Sequence, residues 1–414
     1  MIDRLLARII AGLVTRGTLI VYTPGGKKRS FGDGSGQAVA VRFTDRKAIL
    51  AFLTDPDLRV GELFMEGRLK VEQGTIYDFL DMLLRETHRE KDPFVVKLID
   101  RARFHGRRLL SRIGRDSAKA NVAHHYDLDR KLYDLFLDSD RQYSCAYFER
   151  WDASLEDAQL AKKRHIVAKL GVEPGDKVLD IGSGWGGMAL YLSEIAKADY
   201  VLGVTLSEEQ LALANERAKA KKIEDKVQFE LRDYRDVTGP FKRIVSVGMF
   251  EHVGYQTYSA FFQKCYDLLD DDGVMLLHTI GQIDGPNAPN AWLTKYIFPG
   301  GYLPALSEIT PIVERIGFTV TDVEILRLHY AQTLRHWRNR FMARREEAKA
   351  LYDERFCLMW EYYLAMCEVA FHYENVAVFQ IQLARKQTAV PLTRDYIAER
   401  ETALRKREAE LTLL

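Results

Sequence analysis

The 414-residue chain has no excess of either charge and very little cysteine. Lysine and arginine number 60 against 59 acidic residues, so global charge indicates no nucleic-acid partner, and any electrostatic partner must be sought in local patches. The few cysteines show no CxxC spacing, which favours a reduced, cytoplasmic protein without a disulfide framework or zinc site. They are Cys145, Cys265, Cys357 and Cys367.

Long apolar runs are missing too, so no segment is predicted to span a membrane. The N-terminal MIDRLLARIIAGLV comes nearest, but Arg4 and Arg8 interrupt it, and it matches neither a signal peptide nor a membrane span. Its apolar residues recur at helical spacing. We favour a helix packed on its own domain, and a helix lying on a membrane surface is the alternative.

Hydrophobic residues make up 47% of the chain, which is enough for a globular protein of more than one domain. Local patterns divide it into four contiguous parts. They are a small α+β accessory or lipid-binding domain (1–92), a basic amphipathic linker (93–115), a catalytic domain (116–390) and a charged, solvated helical tail (391–414). The strands GTLIVYT and VAVRFT and the helices RKAILAFLTD and TIYDFLDMLLRETHRE define the first part.

The linker combines a run of cations with apolar residues at about helical spacing. Its sequence DPFVVKLIDRARFHGRRLLSRIGR includes Arg107, Arg108 and Arg112. Such a segment can bind anionic lipid headgroups. A solvated linker helix is an equally good interpretation from this segment alone.

From about residue 116, near-continuous apolar runs alternate with helical patterns, which predicts a parallel sheet covered on both faces. The strands are KVLDIG, YVLGVTL, VQFELRD, RIVSVG and GVMLLHTIG. FTVTDVEIL and VAVFQIQLARK follow as two later strands. We predict a doubly wound α/β sheet of seven strands, with the last strand antiparallel and near the edge.

The glycine-rich turn VLDIGSGWGG, residues 178–187, follows the first strand of this sheet. In a doubly wound sheet the ligand binds beyond the carboxyl ends of the strands. The glycines do not fit the dinucleotide pattern GxGxxG, and the second strand ends at Thr205 instead of an acid, which counts against NAD. Together with Asp180 and the RDYRD after the third strand, this arrangement resembles class I S-adenosylmethionine-dependent methyltransferases, whose sheet is Rossmann-like.

The resemblance extends to the cyclopropane fatty acid and mycolic acid synthases. The matching stretches, in family order over about residues 121–386, are AHHYDLDRKLYDLFLDSDRQYSCAYF, VLDIGSGWGG, GVTLSEEQ, VSVGMFEHVGYQTYSAFF, LLHTIG, YIFPGGYLP, LRHWRNRF and VFQIQLARK. The resemblance implies that methylene transfer from S-adenosylmethionine to a cis alkene forms a cyclopropane ring. It also implies a carbocation on the acyl chain and a bound bicarbonate ion that takes its proton.

The resemblance further implies which residues hold these groups. The bicarbonate cage is formed by Cys145, Glu251, His278, Ile280 and Tyr330, with Cys145 and Ile280 contributing backbone N–H groups. The cofactor contacts are Tyr143, Ser144, Asp180, Gly182, Gly184, Thr205, Leu206, Gln210, Asp233 and Tyr234. Trp185 lies either at the sulfonium end of the cofactor or in the packing of the following helix. No metal is expected.

The N-terminal domain and linker resemble the long bacterial form of the enzyme, which acts on whole phospholipids. This implies a homodimer, a cytoplasmic location, and peripheral association with anionic headgroups on the inner face of the membrane. A methyltransferase that makes methyl-branched or methylene fatty acids without closing a ring is the nearest alternative. A small-molecule methyltransferase would leave the N-terminal domain and the linker unexplained.

Overall fold

The structure is a computed structural model that describes residues 2–86, 102–106 and 129–412. The strands are β1 Thr18–Tyr22, β2 Lys28–Phe31, β3 Ala38–Phe43, β4 Leu69–Gln73, β5 Lys177–Ile181, β6 Tyr200–Thr205, β7 Val227–Leu231, β8 Phe241–Val247, β9 Leu269–Gln282, β10 Thr319–Leu326 and β11 Val376–Ala384. The helices are α1 Ile2–Leu13, α2 Arg46–Thr54, α3 Pro56–Met65, α4 Ile76–Leu84, α5 Arg130–Tyr133, α6 Leu155–Leu170, α7 Gly187–Glu194, α8 Glu208–Ala220, α9 Tyr258–Leu268, α10 Ala291–Tyr296, α11 Leu306–Ile316, α12 His329–Ala343, α13 Arg345–Leu351, α14 Glu354–Tyr373 and α15 Asp395–Thr412.

Two compact, discontinuous units make up the chain. The first combines the N-terminal part with Asn287–Pro299 and Leu334–Val376, and the second holds most of the remainder. The sequence predicts contiguous domains with a boundary near residue 92, so the observed division differs. Packing inside the first unit explains the difference, because a Cβ on Gly61 of α3 would collide with Trp292 and Tyr362, which come from the two later segments.

The first unit contains a four-stranded sheet in the order β2-β1-β3-β4. β1 pairs parallel with β3 and antiparallel with β2, and β4 runs antiparallel to β3. The predicted strands GTLIVYT and VAVRFT are confirmed as β1 and β3. The predicted N-terminal helix is confirmed as α1, which packs within this unit and buries Leu6 and Ile10.

The predicted basic linker 93–115 lies outside the described residues except for 102–106, which are helical. Within that stretch the guanidinium of Arg103 lies 2.7 Å from the carboxylate of Asp55.

The second unit contains the predicted seven-stranded sheet, in the order β10-β11-β9-β8-β5-β6-β7. The five strands β5 to β9 are parallel, and β10 pairs antiparallel with β11, the second strand from the edge. The chain runs outward from β5 through β6 to β7 and then returns to β8 on the other side. The ends of β5 and β8 therefore form the switch point where ligands bind in such sheets.

Both faces of this sheet are covered, as the apolar strands predict. Val178 and Val201 belong to one hydrophobic core, while their neighbours Leu179 and Leu202 belong to the other. The alternation follows from the two-residue period of a strand. It also determines which side chains at the strand ends can contact a ligand.

The C-terminal tail is helical as predicted, but one face of it is packed on the protein and not solvated. α15 packs on α6 in the second unit and buries Ile397 and Leu404. The Glu408 carboxylate accepts hydrogen bonds of 2.7 and 3.1 Å from the Arg164 guanidinium and a further one, of 2.5 Å, from the Tyr191 hydroxyl. These partners lie more than two hundred residues away, so the local charge pattern of the tail could not indicate them.

Candidate active site

A cavity opens at the carboxyl ends of the parallel strands in the second unit, and its empty space of about 1310 Å³ includes the solvent at its mouth. All ten residues predicted to contact the cofactor line it: Tyr143, Ser144, Asp180, Gly182, Gly184, Thr205, Leu206, Gln210, Asp233 and Tyr234. The sequence motifs therefore converge on one place, as the switch point between β5 and β8 requires.

The glycine loop after β5 adopts backbone conformations that favour glycine. Gly182 has a φ of 81° and Gly184 a φ of 54°. A Cβ at Gly182 would come within 2.8 Å of Met249, whereas a Cβ at Gly184 would meet no atom within 4 Å. Gly182 thus permits close packing of the loop, and Gly184 leaves open space where a ligand can approach the backbone.

Trp185 lines the cavity and also packs within the protein, so neither of its two predicted roles is excluded. Its ring meets Tyr133 edge-on at 5.8 Å, and Tyr133 in turn contacts Tyr143, which also lines the cavity. Its carbonyl accepts a hydrogen bond of 2.7 Å from Arg217. Trp185 therefore forms part of an aromatic wall of the cavity, and its contacts with Tyr133 and Arg217 hold it in place.

Asp180 is a buried acid at the end of β5, only 2% exposed. Burial raises the pKa of its carboxyl to about 7, and the cation of Lys162 opposes the rise. Its Oδ2 has no hydrogen-bond partner among the described residues. A carboxyl of this kind is a ready acceptor for a ligand that enters the cavity.

Lys162 is fully buried and was not predicted from the sequence. Its ammonium donates to the Gln142 side-chain oxygen at 2.6 Å and to the Ser144 hydroxyl at 2.8 Å. Burial lowers its pKa to about 8. Lys162 therefore anchors the loop that carries Tyr143 and Ser144 into the cavity, and it places a positive charge behind that loop.

The tips of β6 and β7 present polar groups that contact one another. The Thr205 hydroxyl donates to the Gln210 side-chain oxygen at 2.9 Å. Asp233 accepts two hydrogen bonds, of 2.8 and 2.5 Å, from the guanidinium of Arg235, so its charge is balanced. The sequence did not point to Arg235, although it also lines the cavity.

Two of the five predicted cage residues are in contact, Glu251 on the single helical turn Phe250–His252 and Ile280 on β9, and His278 lies two residues before Ile280 on the same strand. Glu251 Oε1 accepts a hydrogen bond of 2.7 Å from the Ile280 N–H, and the Gly248 N–H donates to the His278 carbonyl at 2.9 Å. The resemblance implied that the Ile280 N–H would face the anion. In the structure the Ile280 N–H donates to Glu251 Oε1, and the contact between Ile280 and the anion stays a prediction.

Glu251 and His278 each keep one buried polar atom without a partner among the described residues, Oε2 of the acid and Nε2 of the ring. Burial raises the pKa of Glu251 to about 7, against the opposing hydrogen bond from Ile280. Burial, assisted by the nearby cations Lys162 and Lys169, lowers the pKa of His278 well below its usual range. The ring is therefore neutral. Buried polar atoms normally have a partner, so these two atoms are candidates for contact with a bound group.

The other two cage residues are joined through their neighbours. Cys145 is fully buried, and burial raises the pKa of its thiol. The adjacent Ala146 N–H donates to the Thr333 hydroxyl at 3.0 Å, and the Phe148 N–H donates to His329 Nδ1 at 2.9 Å. Tyr330 is half-buried in the first turn of α12, between His329 and Thr333. His329 and Thr333 thus join the first turn of α12 to the YSCAYF segment, and the place of Tyr330 in the cage stays a prediction.

In the described part of the chain, none of the helices has the length and apolar character needed to cross a bilayer. Nor do the described histidine, cysteine and acidic side chains gather in groups that could hold a metal ion.

The seven-stranded sheet, with its cavity beyond β5, defines a class I S-adenosylmethionine-dependent methyltransferase fold. A coclaurine N-methyltransferase solved with S-adenosylhomocysteine (SAH) shares this fold. It has a TM-score of 0.62 and 19% identity, and the match covers 78% of this chain and 98% of that one. At this level of identity the likeness concerns the fold alone.

Residues 114–381 match the family described as mycolic acid cyclopropane synthetase, and the chain belongs to that family. It is 38% identical over 333 residues to the cyclopropane-fatty-acyl-phospholipid synthase of Escherichia coli, covering 80% of this chain and 84% of that protein. It is 37% identical over 346 residues to a probable fatty acid methyltransferase of Pseudomonas putida, with the same coverage. The protein is therefore an enzyme of the cyclopropane synthase family.

Solved structures of the family agree. A cyclopropane synthase from Mycobacterium tuberculosis matches with a TM-score of 0.61 and 34% identity, covering 64% of this chain and 98% of that one. A mycolic acid cyclopropane synthase solved with SAH and CTAB matches with a TM-score of 0.60 and 37% identity, over the same shares.

Proposed function

We propose that this enzyme transfers a methylene group from S-adenosylmethionine to the cis double bond of an unsaturated acyl chain in a membrane phospholipid, forming a cyclopropane ring. The similarity to the Escherichia coli phospholipid synthase over 80% of the chain supports the substrate class. The observation that carries the ring-closing step is that Glu251 and His278 each keep one buried polar atom without a partner in the described part of the chain. Ring closure needs a proton acceptor in a dry place, and these atoms suit one.

The cavity residues fit S-adenosylmethionine, which supplies an activated methyl group when bound. The open space at Gly184 admits a ligand to the loop backbone. Thr205 and Gln210 offer hydroxyl and amide groups for a ribose, in place of the acid that dinucleotide sites use. Asp180, Tyr143 and the wall around Trp185 surround the reactive end, where aromatic faces stabilise a cationic centre.

Glu251 and His278 fit bicarbonate, which supplies a proton acceptor when bound. This ion has both an O–H donor and anionic acceptor oxygens. Glu251 Oε2 can accept from the O–H, while a ring N–H at His278 Nε2 can donate to the anionic oxygens. Cys145 and Tyr330 complete the proposed cage. The chain's own part is to hold this acceptor, to exclude water, and to keep the carbocation on the acyl chain from being quenched.

The enzyme is proposed to act from the cytoplasm on the inner face of the membrane, as a peripheral protein and a homodimer. The basic stretch at Arg107, Arg108 and Arg112 supports contact with anionic headgroups, because near-surface cations bind such lipids. The dimer is proposed from the family resemblance.

The second candidate is methylation that stops at a methyl-branched or methylene fatty acid. The probable fatty acid methyltransferase of Pseudomonas putida favours it, since that protein is 37% identical, against 38% for the ring-forming Escherichia coli synthase. Both candidates use the same cofactor cavity, and they differ in whether the proton is lost to close a ring.

The test is to incubate the purified enzyme and S-adenosylmethionine with vesicles of an unsaturated phospholipid, and then to analyse the acyl chains by mass spectrometry and NMR. We expect a gain of one CH₂ unit with loss of the alkene and no added reductant. The same gain with the alkene retained would overturn ring formation in favour of methylenation. Vesicles of a saturated phospholipid are the matched control and should remain unmodified.

A further inference from the structure

His278 is connected to a chain of buried polar side chains that the proposed mechanism does not use. Gln380 Nε2, on β11, lies 3.2 Å from His278 Nδ1. The Lys169 ammonium, on α6, lies 2.9 Å from Gln380 Oε1. Gln380 and Lys169 are both fully buried. Gln380 and Lys169 are far apart in the sequence, so only the folded structure brings them together beside the His278 ring.

Lysine fixes the direction of these hydrogen bonds. An ammonium carries three donors and no acceptor, so the Gln380 atom facing Lys169 must be the carbonyl oxygen. The amide nitrogen must then face His278. An amide N–H₂ can only donate, so His278 Nδ1 must accept. A neutral imidazole that accepts at Nδ1 carries its proton on Nε2.

We propose that Lys169 and Gln380 hold His278 in the neutral form with its proton on Nε2. Gln380 is a positioning residue in this arrangement, because it acts only through the histidine ring. Nε2, which has no partner among the described residues, then presents an N–H donor. This inference rests on the proposed function for its purpose, which is to offer a donor to an anionic oxygen of bicarbonate beside the acceptor on Glu251.

Lys169 is itself held in place by a charged cluster that ends on the C-terminal helix. Its ammonium donates to Glu324 Oε2, which also lies 2.7 Å from His165 Nε2. His165 Nδ1 lies 2.6 Å from Glu401 on α15. Lys169 and His165 alternate here with two partly buried carboxylates, which raise the pKa of His165 and compensate the charge of Lys169. The cluster keeps the ammonium where it can orient the Gln380 amide.

The direct test is ¹⁵N NMR of histidine-labelled enzyme without cofactor or lipid, because the ring nitrogen shifts report the tautomer. The chain has 10 histidines, and loss of one signal set in His278→Asn assigns the residue. We expect the proton on Nε2 in the wild type. Gln380→Glu replaces the donor with an acceptor of the same shape and should move the proton to Nδ1.

Gln382→Glu is the matched control. Gln382 is two residues further along β11, 1% exposed, and donates to the Lys169 carbonyl and the Tyr396 hydroxyl instead of His278. Like Gln380→Glu, this variant introduces an acid at a buried position of β11. It should leave the tautomer of His278 unchanged. If Gln380→Glu does not fold, Lys169→Met replaces it, and the freed amide should give a mixture of tautomers.

A wild-type His278 protonated on Nδ1 would overturn the inference, as would an unchanged tautomer in folded Gln380→Glu. Turnover is measured on the same samples. We expect Gln380→Glu to lower kcat at least about tenfold with the KM for S-adenosylmethionine unchanged, since partners that orient a functional histidine have effects of this size. A changed tautomer with normal turnover would support the inference and count against the cage instead.

Discussion

At the scale of one residue, the buried carboxyl of Glu251, which we propose to be catalytic, lowers the stability of the folded protein when it is ionised. Burial raises the pKa of its carboxyl to about 7 from the model-compound value of 4.5. The folded protein therefore retains a proton that the unfolded chain releases between these two values. Stability is fully present below the lower value and falls as pH rises through the window, because the folded state must then bury a charge.

We predict that Glu251→Gln gains stability while it loses activity. The Gln oxygen can still accept from the Ile280 N–H, but no charge is buried at high pH. The free energy of unfolding should rise by about 1–3 kcal/mol at about pH 8 and remain unchanged near pH 4, since one pKa unit corresponds to about 1.4 kcal/mol. Denaturant titrations at the two pH values measure this difference.

The same variant should lose about a hundredfold or more in turnover while it keeps cofactor affinity. Added bicarbonate should restore part of the rate, because mass action offsets weaker binding of the ion. Turnover per folded molecule equal to that of the wild type would show that Glu251 lies outside the catalytic machinery. Cofactor titration and thermal melts on the same preparation distinguish a lost site from a lost fold.

Among the elements, α6 shows where sequence reasoning reaches its limit. Its sequence LEDAQLAKKRHIVAKL places Lys162, Arg164, His165 and Lys169 in the interior, although such a charge run ordinarily predicts a solvated face. Each of these four side chains has a hydrogen-bond or ion-pair acceptor elsewhere in the chain, as for Lys169 and Gln380, which are 211 positions apart. No local pattern shows such pairings, since they arise only when the sheet forms.

The strands and the cofactor cavity could be predicted because their signals are local. The apolar runs from β5 to β9 can be recognised from a few consecutive residues, and so can the glycine turn at Gly182 and Gly184. Asp180 and Thr205 follow from the ends of those strands. Lys162 and Gln380 could not be predicted, because a buried polar residue is recognised by its partner and not by its neighbours in sequence.

We predict that the C-terminal helix α15 is needed for stability, although its sequence suggests a solvated tail. The Arg164 side chain is 6% exposed and bonded to Glu408. Glu408→Ala should lower the free energy of unfolding by about 3 kcal/mol, because it leaves a buried guanidinium without its main acceptor. Glu410→Ala, exposed on the same helix, should change it by less than about 0.5 kcal/mol. Equal losses in the two variants would contradict the assignment.

At the scale of the whole molecule, the chain forms two units, and two later segments of the chain belong to the first unit. Trp292 and Tyr362, whose rings meet at 4.7 Å, come from two segments that lie before and after β10 in the sequence. The first unit therefore cannot be completed by residues 1–92 alone. A fragment ending near residue 92 would lack these aromatic contacts, so the linker and the first unit have to be tested in the full chain.

We predict that the basic linker of the full chain binds the membrane surface. Replacing Arg107, Arg108 and Arg112 with Gln should weaken binding to anionic vesicles, since each near-surface cation contributes about 1 kcal/mol. The variant should also lose much of the salt dependence of binding, because screening acts on the removed charges. Turnover on detergent-dispersed lipid should hardly change. Sedimentation of the enzyme with vesicles at low and high salt measures both effects.

The control removes three cations elsewhere, by replacing Lys219, Lys222 and Lys226 with Gln. These lysines are exposed at and beyond the end of α8. The change in net charge is identical, so a loss of binding that depends only on total charge would appear in both variants. If only the linker variant loses vesicle binding, the linker is the segment that contacts the membrane, because the surface potential acts within about a Debye length. Unchanged vesicle binding of the linker variant at low salt would mean that the three arginines are solvated and that another surface meets the lipid.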